Sequence, residues 1–237
     1  MIMGRIVDYG HGIYAIEQEI VRFFLITGTE SALLLDTGAE RDDIIALIRE
    51  VTQLPVTVIL THSDGDHLGN LQDFQEVFVH EADRAAAEAF PGCGEIIYRN
   101  LSEGQQFDLG GRVLTVICTP GHTPGSICLI DKENQLLFSG DTVSYGPVFM
   151  FGEGRDTKQY KETLKKLVSL KNQGKYDTVY CCHNTCPIAA EKTEELLELT
   201  EDILAGTAKG VPAELPFPCD DQPVMVQRGD CAILCLM

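Results

Sequence analysis

The sequence predicts an α/β fold in which two β-sheets pack face to face between outer helices, a four-layer αββα sandwich. Residues 56–60 are continuously apolar, as expected of a strand buried on both faces of a covered sheet. Apolar segments at 126–130 and 136–139 are separated by a short polar turn, which indicates a hairpin of a second sheet. Segments with apolar residues at helical spacing occur in both halves of the chain and would cover the outer faces.

The first half is predicted to open with an antiparallel meander, because short apolar segments alternate there with polar or glycine-containing turns. A helix with one apolar face then leads to the buried strand, and an alanine-rich helix stopped by Pro91 follows further on. We expect strands at residues 13–16, 21–27, 32–35, 56–60 and 77–79, and helices at 44–51 and 81–90.

The second half is predicted to add further strands and two helices. Asp156, with Gln159 three residues later, is typical of a helix start, and an apolar stripe follows it. Pro187 suits the first turn of a final helix that ends at Gly206. We expect strands at residues 107–109, 113–118, 126–130, 136–139, 178–182 and 232–236.

The two halves repeat the same order of elements. In each half a hairpin ends in an Asp-Thr pair, at Asp36 and Asp141, and a helix then leads to a strand that ends in histidine. Those histidines are His62 and His183. The repeat fits the four-layer arrangement and predicts that polar side chains from both halves gather along one edge of the sandwich.

Length and composition favour one domain spanning residues 1–237, because 237 residues with 44% hydrophobic content can bury one substantial core. No stretch of about 18 apolar residues is present for a membrane span, and residues 1–12 lack the apolar segment of a signal peptide. Nine cysteines, an odd number, argue against a disulfide framework and for reduced thiols. We therefore expect a cytoplasmic protein without a membrane partner; a homo-oligomer is left open.

The net charge of −18 and the pI near 4.6 disfavour binding to nucleic acid, because an acidic surface repels phosphate groups. We expect a small-molecule substrate instead. Tyr145 and Phe149 follow Asp141 in a glycine-interrupted segment and are candidates to line an apolar substrate pocket. No basic cluster follows His183 to receive glutathione or coenzyme A.

Candidate metal ligands follow several of the predicted strands. The loop at residues 61–70 comes directly after the buried strand and carries two imidazoles and two carboxylates, which are suitable ligands for a metal ion. Three further segments, at 119–126, 138–142 and 179–184, each follow an apolar strand-like segment and supply one more candidate. The candidate metal ligands are His62, Asp64, Asp66, His67, His122, Asp141 and His183.

Together these segments resemble the metallo-β-lactamase fold superfamily, in which glyoxalase II-like metallo-hydrolases occur. The family loop reads His-x-His-x-Asp-His, and Asp64 stands here in place of the second histidine. The resemblance implies the same four-layer fold and two metal sites that share Asp141. It assigns His62, Asp64 and His122 to the first site, and Asp66, His67 and His183 to the second.

The resemblance implies two divalent metal ions, with zinc expected and iron or manganese as alternatives, because Asp64 offers a harder ligand than histidine. Such a centre would hydrolyse a small ester, thioester, lactone or amide by attack of a metal-bound hydroxide. Asp141 would act by bridging the ions, and Asp66 by orienting the hydroxide or moving its proton. If the Asp64 replacement weakens the first site, Asp64→His should raise its zinc occupancy.

Two other hypotheses remain open at this point. His62, His122 and Asp141 alone form the two-histidine, one-carboxylate set of a mononuclear non-haem iron oxygenase, similar to the persulfide dioxygenase branch of the superfamily. The second hypothesis is a degenerate member of the superfamily that uses its metal pocket for binding or regulation. Metal content separates the hydrolase from the oxygenase, and turnover by metal-loaded protein separates the hydrolase from the regulatory member.

Overall fold

A computed structural model describes residues 4–93, 95–215 and 221–237. Cys219 lies outside the described residues. The strands are β1 (Arg5–Gly10), β2 (Ile13–Glu17), β3 (Arg22–Thr27), β4 (Ala32–Leu35), β5 (Val56–Ile59), β6 (Glu76–His80), β7 (Ile97–Leu101), β8 (Gln106–Asp108), β9 (Val113–Cys118), β10 (Ile127–Asp131), β11 (Leu136–Gly140), β12 (Gly146–Met150), β13 (Thr178–Cys181), β14 (Ile188–Ala189), β15 (Gly210–Pro212), β16 (Val224–Arg228) and β17 (Cys231–Cys235). The helices are α1 (Ile44–Val51), α2 (Glu81–Ala89), α3 (Thr157–Asn172) and α4 (Lys192–Ala205).

The two large sheets are both mixed. The first has the order β1-β2-β3-β4-β5-β6-β7, antiparallel up to β4 and parallel from β4 to β7. The second has the order β14-β13-β11-β10-β9-β8, in which β11 and β13 are parallel. Because β5, β11 and β13 have parallel neighbours, their carboxyl ends open onto sheet edges where loops can meet.

The core forms three apolar layers, which confirms the predicted four-layer αββα sandwich. Side chains from the facing surfaces of the two sheets pack together in the middle, as shown by the Phe24 and Phe138 rings, whose centroids lie 5.6 Å apart. The outer face of the first sheet packs against α1, with Ile44 and Ile48 buried in the contact. The outer face of the second sheet packs against α3 and α4, with Leu164 buried there.

A third sheet was not predicted. It has the order β12-β17-β16-β15 and contains the strand that the sequence predicted at 232–236. Val148, Ile233 and Val226 join the core layer that covers the second sheet. The sequence also did not indicate β1 or β7, because their partly exposed residues give no clear alternation of apolar and polar side chains.

The prediction that Pro187 lies in the first turn of the last helix is wrong. Residues 188–189 instead form the short edge strand β14, in which Ile188 pairs with Val179. A proline is tolerated directly before an edge strand because no ladder hydrogen bond requires its missing N–H. Helix α4 begins only at Lys192 and ends, as predicted, at Gly206, whose φ of 68° is left-handed.

Each of the eight cysteines in the described ranges is a free thiol, as expected for reduced cysteines. None of the helices in these ranges combines the length and apolar composition needed to traverse a lipid bilayer.

Candidate metal centre

The candidate ligands meet at one edge of the sandwich, on loops that follow β5, β9, β11 and β13. Two glycines permit close approach of these loops. A Cβ on Gly140, where φ is 52°, would lie 2.7 Å from the Thr61 Oγ1, so glycine lets the loop carrying Asp141 touch the loop carrying His62. A Cβ on Gly121 would lie 2.5 Å from the Tyr160 Cα. Glycine at this position therefore lets the loop of His122 pack directly against α3.

All four imidazoles use Nδ1 to bond to a group outside the centre. This leaves each Nε2 directed to the shared volume between the loops. Two of the Nδ1 partners are backbone carbonyls, which can only accept a hydrogen bond, so Nδ1 carries the proton there. The Nδ1 contacts are His62 to Thr61 Oγ1 at 2.9 Å, His67 to Asp36 Oδ2 at 2.9 Å, His122 to the Phe149 carbonyl at 2.8 Å and His183 to the Ile20 carbonyl at 2.7 Å.

The ligands form two groups with the same chemical composition. The first group is His62, His122 and Asp141, and the second is Asp66, His67 and His183; the ligand atoms within each group lie within 4.8 Å of one another. Asp141 lies between them, with Oδ1 3.4 Å from the His67 Nε2 and Oδ2 3.8 Å from the His62 Nε2.

The donor atoms fit divalent metal ions. Among the described residues, the buried His62 Nε2, His67 Nε2 and Asp141 Oδ1 have no hydrogen-bond partner. Buried polar atoms are normally satisfied, so three orphaned atoms directed at one volume indicate a site for a bound cation. Imidazole and carboxylate are both common ligands of zinc and of other transition metals.

The electrostatic field of the centre also favours a cation. Burial alone would lower the pKa of His183, but Asp141 and Asp66 outweigh it and raise that pKa to about 10. The pKa of the buried His67 is likewise raised by Asp141, Asp66 and Asp36, against the effect of burial. Despite burial, which would raise it, the pKa of Asp141 is held well below its ordinary value by His183 and His67.

A cavity of about 990 Å³ opens onto the centre, and its lining includes Asp66, His122, Asp141 and His183. Its lining includes an apolar wall of Ile20, Val21, Val148, Phe149 and Phe151. Phe149, one of the two residues predicted to contact the substrate, is part of this lining. Tyr145 is not part of the described lining, and its ring instead faces the Lys192 Nζ at 5.3 Å.

Comparison with known proteins identifies the family. A family model described as the metallo-beta-lactamase superfamily matches residues 17–183. The chain belongs to the metallo-β-lactamase superfamily. It is therefore a metallo-hydrolase of this superfamily, and membership implies that it binds divalent metal ions. The resemblance inferred from the ligand segments is confirmed.

Three similar proteins illustrate the relationship. The chain is 30% identical over 216 residues to the acyl-coenzyme A thioesterase MBLAC2 of Gallus gallus. That alignment covers 73% of this chain and 78% of that protein. It is 27% identical over 169 residues to the hydroxyacylglutathione hydrolase of Citrobacter koseri, over 71% of this chain and 63% of that protein. A solved metallo-beta-lactamase from Pontibacter korlensis has a TM-score of 0.69 and 19% identity, over 84% of this chain and all (100%) of that one, and shows the fold.

Asp36 is not one of the candidate metal ligands, but it contacts one of them and the loop that carries another. It adopts a left-handed backbone conformation with φ of 68° and accepts hydrogen bonds from the Thr61 N–H at 2.7 Å and the His67 Nδ1 at 2.9 Å. Cys182 completes a fully buried group with Asp36 and His67. Burial raises the pKa of the Cys182 thiol, so a protonated thiol is expected. Asp36 orients both the loop that follows β5 and the imidazole of His67.

Asp64, which replaces the second histidine of the superfamily loop, lies in contact with both imidazoles of the first group. Its Oδ2 is 3.2 Å from the His122 Nε2 and 3.6 Å from the His62 Nε2, and the same oxygen forms an ion pair with the Arg155 Nη2. Arg155 was not among the predicted site residues. The charge introduced by an aspartate in place of histidine was the signal that could have prompted a search for a compensating cation.

Asp83 was also not predicted, although it joins two ligand loops. This buried carboxylate on α2 accepts hydrogen bonds from the Ser63 N–H at 3.1 Å, the Thr123 Oγ1 at 2.6 Å and the Gly125 N–H at 2.7 Å. Ser63 follows His62, and Thr123 follows His122. Asp83 therefore connects the two loops that carry the imidazoles of the first group.

Proposed function

We propose that the protein hydrolyses small thioesters at a centre that holds two divalent metal ions, zinc in the first instance. His62 and His122 would hold one ion, Asp66, His67 and His183 the other, and Asp141 would contact both. The ions, when bound, would make a water molecule acidic and polarise the carbonyl of the substrate. The observation that carries this proposal is the convergence of four imidazoles and two carboxylates beside a cavity that four of these residues line.

Asp66 is the residue best placed to handle the proton of the attacking water. Its side chain is 30% exposed and lines the cavity, while its Oδ2 lies 3.3 Å from the His183 Nε2. Burial would raise the pKa of Asp66, but His67 and His183 lower it below the ordinary value, so the carboxylate stays ionised near neutral pH. An ionised carboxylate that reaches solvent can orient water and accept its proton.

The apolar wall indicates where the acyl group would bind. Phe149 and Phe151 form a pair of rings with centroids 5.6 Å apart, and Ile20, which lines the same cavity, is 61% exposed. Apolar side chains that line one cavity lose contact with water when an acyl chain binds there. The thioesterase name of the Gallus gallus relative supports a thioester over the other bonds that the superfamily hydrolyses.

The charge around the cavity favours a thioester substrate whose thiol portion carries no phosphate groups. The described lining includes Arg22 and Arg155, and both are paired with carboxylates, of Glu17 and Asp64 respectively. The lining also contains Glu19, and the chain carries a net charge of −18. A polyanionic thiol such as coenzyme A is repelled by this surface, whereas a short neutral thiol is not.

The test compares butyryl-N-acetylcysteamine, a neutral thioester, with butyryl-coenzyme A on zinc-loaded protein. We expect metal-dependent hydrolysis of both, with kcat/KM at least about tenfold higher for the neutral thioester at low ionic strength and a smaller difference at high salt. Asp66→Asn should lower kcat for both substrates. Absence of hydrolysis of any thioester by metal-loaded protein would contradict the proposal.

Metal analysis tests the competing oxygenase hypothesis. The first group matches a two-histidine, one-carboxylate iron site, so one iron per chain together with oxygen consumption would favour that alternative. Two zinc equivalents per chain would favour the hydrolase.

A further inference from the structure

The environment of Asp64 points to a joint role with Arg155. In the superfamily loop a neutral histidine occupies this position, whereas here an aspartate does so and Arg155 contacts it. The charges of the carboxylate and the guanidinium cancel, so the pair presents the same net charge to the first group as a histidine would. We infer that Asp64 and Arg155 act as one unit: Arg155 pairs with the Asp64 Oδ2, the oxygen nearest to the His122 and His62 Nε2 atoms, and so keeps it from binding a metal ion. The first metal site is then formed by His62, His122 and Asp141.

The contacts of Arg155 show that the guanidinium depends on Asp64. Its side chain is 18% exposed, and Nη1 donates to the Glu153 carbonyl at 3.3 Å. Among the described residues, the buried Arg155 Nε has no hydrogen-bond partner. Asp64 is thus the carboxylate that compensates this largely buried cation, and its removal leaves the charge uncompensated.

Hydrogen bonds of the next residue in the chain position Arg155. The next residue, Asp156, caps α3 by accepting hydrogen bonds from the Lys158 N–H at 2.8 Å and the Gln159 N–H at 3.0 Å. The Asp156 N–H in turn donates to the Gly121 carbonyl at 2.9 Å, directly before His122. Arg155 is therefore held between the start of a helix and a ligand loop.

This arrangement changes what a histidine at position 64 would do. Asp64→His supplies a nitrogen ligand but leaves the Arg155 cation uncompensated beside the first site, where it repels a metal ion. Arg155→Gln removes that cation. The effect of Asp64→His on metal binding should therefore depend on the residue at position 155.

The experiment is a double-mutant cycle on metal affinity, measured without substrate. Wild type, Asp64→His, Arg155→Gln and the double variant are stripped of metal and titrated with zinc against a chromophoric chelator, and bound zinc is counted by elemental analysis. We expect Asp64→His alone to weaken the less tightly bound zinc about tenfold or more, and the double variant to regain at least the wild-type affinity. Equal effects of Asp64→His with and without Arg155 would overturn the inference.

An exposed ion pair provides the matched control. Glu76 and Arg99 lie 3.0 Å apart with side chains 43% and 56% exposed, on strands outside the ligand loops. Glu76→Gln, Arg99→Gln and their combination should leave zinc affinity unchanged, which shows that loss of an arginine–carboxylate pair elsewhere does not affect the centre.

Two further outcomes also decide the matter. If Asp64→His fails to fold, recovery of folded protein in the double variant supports the inference that the two residues act as one unit. Failure to recover folded protein overturns that inference. A crystal structure of zinc-loaded wild type in which an Asp64 oxygen coordinates the ion, at about 2.0–2.2 Å, would overturn it as well. These readouts do not depend on thioester hydrolysis, so failure of the proposed function would leave them interpretable.

Discussion

Replacement of Asp83 by alanine should destabilise the protein and weaken metal binding together. The Asp83 carboxylate is 2% exposed and accepts hydrogen bonds from Ser63, Thr123 and Gly125, which flank two metal ligands. In Asp83→Ala these three donors lose a charged acceptor in a region that water reaches poorly. The loops that carry His62 and His122 also lose their common anchor.

The magnitude follows from the number of hydrogen bonds. A hydrogen bond to a charged group contributes about 1.5–3 kcal/mol, and part of the loss is recovered when loops relax or water enters. We therefore expect the free energy of unfolding to fall by about 3–5 kcal/mol. For a chain of this size, that corresponds to a fall in Tm on the order of 10 °C.

The assay is urea unfolding of metal-free protein followed by circular dichroism, together with zinc titration of the same samples. Asp73→Ala is the matched control, because Asp73 pairs at the surface with Arg41, whose side chain is 55% exposed. Loss of such a pair should cost less than about 1 kcal/mol. If Asp83→Ala unfolds within about 1 kcal/mol of wild type, or binds zinc equally tightly, Asp83 does not anchor the loops.

Two further predictions concern the ligands themselves. Asp141→Ala should abolish hydrolysis and lower bound metal while circular dichroism shows the fold retained; unchanged turnover would remove Asp141 from the catalytic role. In the metal-free protein the pKa of His183 is raised from 6.5 to about 10, so its contribution to stability is fully present below pH 6.5 and is lost as the pH rises towards 10. Zinc binding at pH 8 should consequently release protons, seen as a binding enthalpy that changes with the ionisation enthalpy of the buffer; an enthalpy independent of buffer would contradict the raised pKa.

The strands that lead into the ligand loops, and the positions of those loops, were predictable because their signals are local. The continuous apolar segment at Val56–Ile59 and the polar loop that follows it are adjacent in sequence, and the sheet edge then brings such loops together. Helix α1 was predicted in the segment where it is observed, since an apolar face repeated at helical spacing needs no knowledge of the partner surface.

The third sheet and the supporting carboxylate were not predictable in this way. Strand β12 pairs with β17, which lies more than 80 residues later, and its sequence Gly-Pro-Val-Phe-Met carries no strand-like alternation. Asp83 looks like an ordinary polar residue on an alanine-rich helix, and its partner Thr123 is 40 residues away. In both cases the stabilising contact is defined by tertiary packing, which leaves no pattern in either segment alone.

The metal preference expected from Asp64 depends on whether Arg155 pairs with it. Considered alone, a carboxylate for histidine makes the first site harder and favours iron or manganese over zinc. With Arg155 cancelling its charge and contacting its Oδ2, that preference no longer follows, because the remaining first group is two imidazoles and one carboxylate. The second group has the same composition. If Asp64 and Arg155 act as a pair, the two groups should therefore select the same metal, and the replacement that distinguishes this loop changes how the first site is supported rather than which ion it binds.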